Sequence, residues 1–460
     1  MNSTTPLEIG ILQKYQAVDE GLVNKNLLRE LGILAKKIIV LDDDPTGIQT
    51  VQNIAVYTDW SLESLRDGFK QPSRMFFILT NSRSLTAKET TIAHREIAQN
   101  ILTVSRETTI DFILISRSDS TLRGHYPLET AVLCEALEAG SGSKIDGEII
   151  MPFFKEGGRF TIDNIHYVLD GDKLIPAGET EFARDKTFFY RSSHLGEWCE
   201  EKTAGQFKKG DLVYISLAML RDLDYDVILK SLCLATSFNK IVVNAVDYLD
   251  VKVFVTALLK AINQGKRYII RSAASLTKII GGIPDRPLLT HNELIGRDSK
   301  NGGLVVVGSH VNKTSEQLAE LKQSRKDIAY IEFHQRLVVD EKLLKLEIER
   351  VENLAGQNIR SGTTVVIFTS RERFDLNTGD KEAELKMAAA ISEAVTDIVA
   401  RLRVKPSFII AKGGITSSDI GTKALAVKKA IVMGQIKPGI PVWMTGAESK
   451  FPGLPYVIFP

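Results

Sequence analysis

The feature that most constrains this chain is the stretch Ile38-Ile39-Val40-Leu41-Asp42-Asp43-Asp44-Pro45-Thr46-Gly47. Four apolar, mostly β-branched residues read as a buried strand, and the Pro and Gly behind them force a turn. Three carboxylates therefore stand at a strand's C-terminal end, the end that opens into the ligand crevice of an open α/β sheet. Like charges so close together repel unless a cation, a hydrogen-bond donor or a proton relieves them. A strand-to-helix turn can use one Asp as a cap, but a third Asp and the Thr-Gly step exceed that need.

Further short apolar runs follow at Met75–Thr80, Phe112–Ser116, Glu148–Met151, Asp211–Ser216, Lys240–Asn244 and Arg267–Arg271. Helical patterns lie between several of them, such as Lys88–Val104 with Ile92, Ala93, Ile97, Ile101 and Val104 on one face. Strands alternating with helices predict a parallel, doubly wound sheet. A chain of 460 residues exceeds a single core, and the turn-rich segment 281–301 reads as a linker. Beyond it a second series runs through strand Leu304–Val307, a helix from Ser315, strand Thr364–Thr369, helix Lys381–Leu402 and strand Phe408–Ala411. The long helix turns Leu385, Ile391, Val395, Ile398 and Leu402 to a core. The fold class is thus α/β, with two domains, each a mainly parallel sheet flanked by helices. Residues 1–36 form an N-terminal helical extension with Leu22, Leu27, Leu28, Leu31 and Leu34 as its apolar stripe, 37–280 the first domain and 302–460 the second.

A net charge of +1 gives no electrostatic footprint for nucleic acid or an anionic membrane. No apolar run reaches the length of a membrane span, and the N-terminus lacks a secretory signal pattern, so a cytoplasmic protein is expected. Cys134, Cys199 and Cys233 lie far apart without a C-x-x-C pair, which indicates neither a disulfide framework nor a zinc site. Small molecules are the expected partners, with homodimer formation left open.

Four polar constellations end the first four main strands. Besides the Asp cluster these are Thr80-Asn81-Ser82-Arg83-Ser84, then Ser116 to His125 with Arg117, Asp119, Ser120, Thr121 and Arg123, and lastly Pro152 to Arg159. On one edge of a parallel sheet they would line one crevice with Asp, Ser, Thr and Arg. Such a lining suits a small polyhydroxylated acid, because guanidinium groups grip a carboxylate in two places while Asp, Ser and Thr bond to hydroxyls. Arg123 and Arg159 are the candidates for the carboxylate. In the second half, strand Val305–Val307 ends in Gly308-Ser309, and Thr314-Ser315-Glu316-Gln317 has the spacing of a capping box. Gly308-x-x-x-x-Lys313-Thr314 lacks the second Gly of a P-loop. Ile409–Ala411 runs through Lys412 into Gly413-Gly414-Ile415-Thr416, where two glycines let a backbone approach a ligand closely. Together these turns point to a nucleotide.

These residues carry a resemblance to the four-carbon acid sugar kinase family, over nearly everything from Ile38 to Pro460. The family's Asp-Asp-x-Thr-Gly is met by Asp43, Asp44, Pro45, Thr46 and Gly47. Its Asp-Ser-Thr-Leu-Arg-Gly is met residue for residue by Asp119 to Gly124, its Gly-Arg by Gly158-Arg159, and its Glu-Thr-Glu-Phe-Ala-Arg-Asp by Glu179 to Asp185. The resemblance implies a sugar-acid-binding domain followed by an ATP-binding one, with Mg2+ on the polyphosphate and phosphoryl transfer across the cleft. It implies substrate contacts from Thr46, Gly47, Arg83, Asp119, Ser120, Thr121, Arg123 and Arg159, chemistry from Asp43 or Asp44, and ATP contacts from Gly308, Ser309, Gly413, Gly414 and Thr416. Two departures stand out: Ile415 replaces the acid that members usually carry, and the chain stops at Phe459-Pro460 where members usually continue into a Gly-Asn-containing loop.

Two other readings compete. Asp42-x-Asp44-x-Thr46 after a strand, with Phe77-Ile78-Leu79-Thr80-Asn81, also resembles the first two motifs of haloacid dehalogenase-like phosphatases, with Asp42 as the nucleophile. A later Gly-Asp-x-x-x-Asp motif is missing, however. Ile415 and the short C-terminus would also fit a catalytically inactive sugar-acid or nucleotide-binding protein.

Overall fold

A computed structural model of the chain describes residues 5–15, 17–296, 299–308, 312–371 and 381–459. The chain divides into two compact units, Met1–Arg286 and Pro287–Pro460.

In the first unit the strands are β1 (Leu7–Glu8), β2 (Lys37–Asp42), β3 (Ile54–Tyr57), β4 (Met75–Leu79), β5 (Phe112–Arg117), β6 (Gly147–Met151), β7 (Arg159–Ile162), β8 (Ile165–Asp170), β9 (Lys173–Pro176), β10 (Val213–Ile215), β11 (Asn239–Val243) and β12 (Tyr268–Ser272). Its main sheet has the order β10-β11-β6-β12-β5-β2-β4-β3, and every pairing in it is parallel. Helices cover a parallel sheet on both faces, so its central strands are apolar throughout; Ile38, Ile39, Val40 and Leu41 are all buried. The register aligns Leu79, Asp42, Arg117, Ser272 and Met151 in one row. That row ends five neighbouring strands at one edge. A small antiparallel sheet, β1-β9-β8-β7, is built on the segment that follows β6.

The second unit contains β13 (Leu304–Val307), β14 (Ala329–Phe333), β15 (Val365–Thr369), β16 (Ile409–Lys412), β17 (Lys429–Lys437), β18 (Ile440–Thr445) and β19 (Pro455–Phe459). Strands β19-β16-β13-β15-β14 are parallel, and β17 and β18 extend the β19 edge antiparallel. Both units are therefore mainly parallel sheets flanked by helices.

Several expectations need correction. The N-terminal helix Glu20–Ile33 buries Val23, Leu27 and Leu31, with Leu34 just beyond it, whereas Leu22 and Leu28 are 44% and 67% exposed. Steps of four, four and three hold one helical face, and Leu22 and Leu28 fall beside it. Ile92 likewise points outward from helix Ala87–Thr108. The helix placed from Ser315 begins at Asn312, so Thr314 lies within its first turn and not at the N-cap position; residues three apart are neighbours inside a helix as well as at its start. The side chain of Leu385 lies outside the described residues, and Ile391 is only half-buried, while Val395, Ile398 and Leu402 are buried. Strand β3, the small sheet, β14 and the β17–β18 hairpin have no counterpart in the sequence reading.

Candidate functional site

The Asp cluster is folded by its own side chains. The Asp44 carboxylate accepts from the backbone N–H and hydroxyl of Thr46 at 2.8 and 2.5 Å, a local turn that reverses the chain after β2. Gly47 then passes so close to Asp42 that a Cβ there would collide with its carboxylate, which gives the Thr-Gly step a steric reason. The backbone carbonyl of Asp42 accepts from the Thr80 N–H and hydroxyl, both at 2.9 Å, and ties the turn to the end of β4.

Three guanidinium groups relieve the repulsion among these acids. Arg83 reaches Asp44 at 2.5 Å, Asp43 at 3.4 Å and Asp119 at 3.7 Å. Arg117, at the end of β5, lies 3.2 Å from Asp42 and 3.5 Å from Asp43. Arg123 holds Asp119 at 2.7 Å and lies 3.8 Å from Asp185. Asp119 also accepts from the Thr121 hydroxyl. Burial pushes the Asp119 carboxyl up, but Arg83, Arg123 and these hydrogen bonds outweigh it and hold it well below the usual range.

The other two buried acids go the opposite way. Burial, reinforced by the Asp43 and Asp44 charges, outweighs Arg117 and pushes Asp42 up to about 8. A carboxyl that is protonated at neutral pH and closed off by Gly47 is a poor nucleophile, which counts against the phosphatase role for Asp42. Burial also raises Asp43 despite Arg83 and Arg117, with Glu129 and Asp44 adding to the rise. Neither Asp43 oxygen accepts a hydrogen bond. The space that a side chain at Gly124 would fill adjoins it, since a Cβ there would lie 3.4 Å from Asp43 Oδ2. Gly124 has a φ of +118°, which favours glycine on its own account.

Ser120 and Thr121 are buried and serve as backbone anchors: the Ser120 carbonyl meets His166 Nε2 at 2.8 Å, and the Thr121 carbonyl accepts from the Tyr190 hydroxyl at 2.7 Å. Arg159 opens β7 in the small sheet. Its Nη1 donates to the Gly157 carbonyl, while its buried Nε makes no hydrogen bond. Among the described residues no carboxylate forms an ion pair with it, and burial lowers its pKa from the ordinary guanidinium value, outweighing the Asp119 charge. The two arginines proposed for a carboxylate thus differ: Arg123 is already paired, and Arg159 is open.

Sequence reasoning passed over Arg271 and Glu129, and it quoted Arg117 without choosing it. Arg271 is the last residue but one of β12, the strand inserted between β5 and β6, and donates to Glu129 at 3.2 Å; Glu129 accepts from Ser82 at 2.5 Å. Arg271 could have been found by the rule used elsewhere, a polar residue closing an apolar strand. Glu129 sits inside a helix and offers no such signal.

In the second unit the register places Phe368, Val307, Lys412 and Phe459 in one row, so the turns after β13, β15 and β16 share an edge. Gly308 and Thr416 come together there: a Cβ on Gly308 would lie 2.6 Å from the Thr416 hydroxyl. The Thr369 hydroxyl donates to the Gly308 carbonyl at 3.3 Å. Gly413 carries the positive φ, +106°, and its N–H donates to Phe459 at 2.8 Å; Gly414 begins the following helical turn. Ile415 is 67% exposed and brings no charge to this edge. Ser309 lies outside the described residues. Glycine backbone and hydroxyls of this kind fit the phosphates of a nucleotide. Among the described residues no group of three or more His, Cys, Asp or Glu is placed to hold a metal ion, and no helix is long and apolar enough to cross a membrane.

Comparison with known proteins agrees with this division. Residues 38–280 match the model of a sugar-binding N-terminal domain and residues 304–460 that of a nucleotide-binding C-terminal domain. Comparison with curated proteins finds no match. Among solved structures, a Salmonella typhimurium LT2 protein named as a candidate tRNA synthase is 14% identical with a TM-score of 0.66, and a Haemophilus influenzae protein from a family described as a domain of unknown function is 16% identical with a TM-score of 0.60. Each likeness covers 92% of this chain and 95% of the other, and at such identities it is a likeness of fold. The two domain matches in this order establish that the chain belongs to the four-carbon acid sugar kinase family.

Proposed function

We propose that this chain is a cytoplasmic ATP-dependent kinase that phosphorylates a hydroxyl of a four-carbon sugar acid, a tetronate or 3-oxo-tetronate. Residues 37–280 bind the acid, 281–301 link the domains and 302–460 bind the nucleotide. The observation that carries the reading is Asp43, a buried carboxylate with a raised pKa and no hydrogen bond, beside the space that the missing side chain of Gly124 leaves. A general base needs a free lone pair and a pKa near the working pH. Asp44 has the weaker claim, because Thr46 and Arg83 already occupy its oxygens.

In this mechanism Arg159 takes the substrate carboxylate, and Asp119, held ionised by Arg83 and Arg123, accepts from a substrate hydroxyl. Asp43 orients the attacking hydroxyl and removes its proton. Gly308, Gly413, Gly414 and Thr416 hold the nucleotide phosphates through backbone and hydroxyl groups. When bound, ATP would supply the phosphoryl group, and Mg2+ would neutralise charge on the polyphosphate.

The test is ADP release across a panel of four-carbon acids. Release with one or more tetronates is expected. ATP binding without release on any of them would refute the activity.

A further inference from the structure

Phe182 belongs to the Glu179–Asp185 run, to which the mechanism above gives no role. Its ring packs on one side against the buried cluster that includes Leu122, Tyr126 and Trp198. Two guanidinium groups flank the same ring: Arg123 lies 5.1 Å and Arg159 5.6 Å from its centroid. The segment bearing Phe182 is fastened to the Asp119–Gly124 loop through the Tyr190–Thr121 hydrogen bond and to its own next turn through Tyr190 N–H to Ala183, 3.2 Å. The core therefore fixes the ring, and the ring faces the two cations.

The consequences for the two cations differ. Arg123 has Asp119 and Asp185 to hold it. Arg159 has the Gly157 carbonyl on Nη1 and the face of Phe182, its buried Nε makes no hydrogen bond, and among the described residues no carboxylate forms an ion pair with it, although the Asp119 charge is felt there. A guanidinium with Nη1 engaged still offers its Nε–Nη2 edge, which matches the two oxygens of a carboxylate. That edge is useful only if the long side chain keeps its direction. The quadrupole of an aromatic face attracts a cation and restrains it.

We propose that Phe182 is a positioning and specificity-determining residue of the acid site, its ring orienting Arg159 so that the Nε–Nη2 edge is presented to the substrate's carboxylate. This rests on the reading of Arg159 as the carboxylate anchor. It makes affinity for the acid depend on an aromatic ring that does not itself hydrogen-bond to the substrate.

The experiment uses the full chain with Phe182→Leu, which keeps apolar volume and removes the ring, and Phe182→Tyr, which keeps the ring. Binding of L-threonate, D-erythronate, malate and acetate is measured by calorimetry, with KM and kcat wherever phosphoryl transfer occurs. Phe182→Leu should weaken carboxylate binding and raise KM on the order of tenfold, with kcat and ATP affinity within about twofold, and Phe182→Tyr should restore binding. Equal affinity in wild type and Phe182→Leu, or equal loss in both variants, overturns the proposal. Wild type that binds a carboxylate yet transfers no phosphoryl group would refute the kinase reading while the Phe182 comparison still stands. Wild type that binds none of the four probes overturns the proposal together with the acid site.

Discussion

The two candidate sites occupy corresponding edges of two parallel sheets and are built from opposite materials. The first-unit edge is crowded with charge: Asp42, Asp43, Asp44 and Asp119 against Arg83, Arg117 and Arg123, most of it buried. The second-unit edge sets glycine backbone and hydroxyls at Gly308, Thr369, Gly413 and Thr416 beside exposed Ile415, with Lys412 in the same row and Arg371 donating to Thr369. Charge held in a dry, preorganised network can tune individual pKa values and direct a proton. Backbone amides and small residues can cradle phosphate oxygens but cannot act as a base. Under the function proposed above, the difference would give proton chemistry to the first edge and phosphate binding to the second.

The sharpest way to break this assignment is Asp43→Asn. Turnover should fall by roughly 10²–10⁴-fold, the range for losing a general base, with both ligands still bound. Asp44→Asn should cost less, acting through Thr46 and Arg83. ADP release by the two variants decides the matter, and the reverse order of losses would move the base to Asp44.

The second edge is tested at Gly413, whose φ of +106° a β-branched residue cannot adopt without strain. Gly413→Val should lower ATP affinity by about tenfold or more, given strain of roughly 1–3 kcal/mol, while acid binding is unaffected. Calorimetric titration with ATP and then with the acid separates the two, and unchanged ATP affinity would remove this turn from the phosphate site.

Within the first edge the comparison sharpens to Arg159 against Arg123. Arg159→Lys should weaken acid binding by about tenfold, since a point charge cannot reproduce a two-pronged grip. Arg123→Lys should weaken it less, because its nearest partners are Asp119 and Asp185. A larger loss at Arg123 would transfer the carboxylate to that side chain.

What the sequence made legible follows the same contrast. The stretch Ile38–Gly47 announces strand, turn and carboxylates at once, because apolar run, Pro-Gly punctuation and charge coincide. The alternation of strands and helices gave the parallel sheets of both units. Short elements without a strong pattern were missed: β3 is four residues long, and β7 to β9 are short strands joined as hairpins, for which the sequence analysis made no assignment. Individual roles were beyond reach because they depend on pairings across strands. Arg117 reaches Asp42 and Asp43 only once β5 is placed beside β2, and Arg271 reaches Glu129 only once β12 is placed beside β5. On the second edge the positive φ falls on Gly413, and a Gly-Gly pair in sequence does not say which glycine takes it.

The smallest expected effect concerns Asp42 and appears in stability. Its folded-state pKa is raised from 3.8 to about 8, chiefly by burial. The folded protein therefore holds a proton that the unfolded chain releases, so stability is fully present below the unfolded value and is lost as pH rises through about 8. Asp42→Asn keeps the shape of the neutral carboxyl and cannot ionise, so it should remove this part of the pH dependence. At pH values above about 8 the variant should unfold at a higher temperature than wild type, the difference should shrink as pH falls through the window, and below 3.8 the two should differ little. Thermal unfolding of both proteins across that range tests the point. If wild type instead gains stability on the variant as pH rises, the Arg117 ion pair outweighs burial, Asp42 is ionised in the folded protein, and the charged edge contains one more working carboxylate than assigned here.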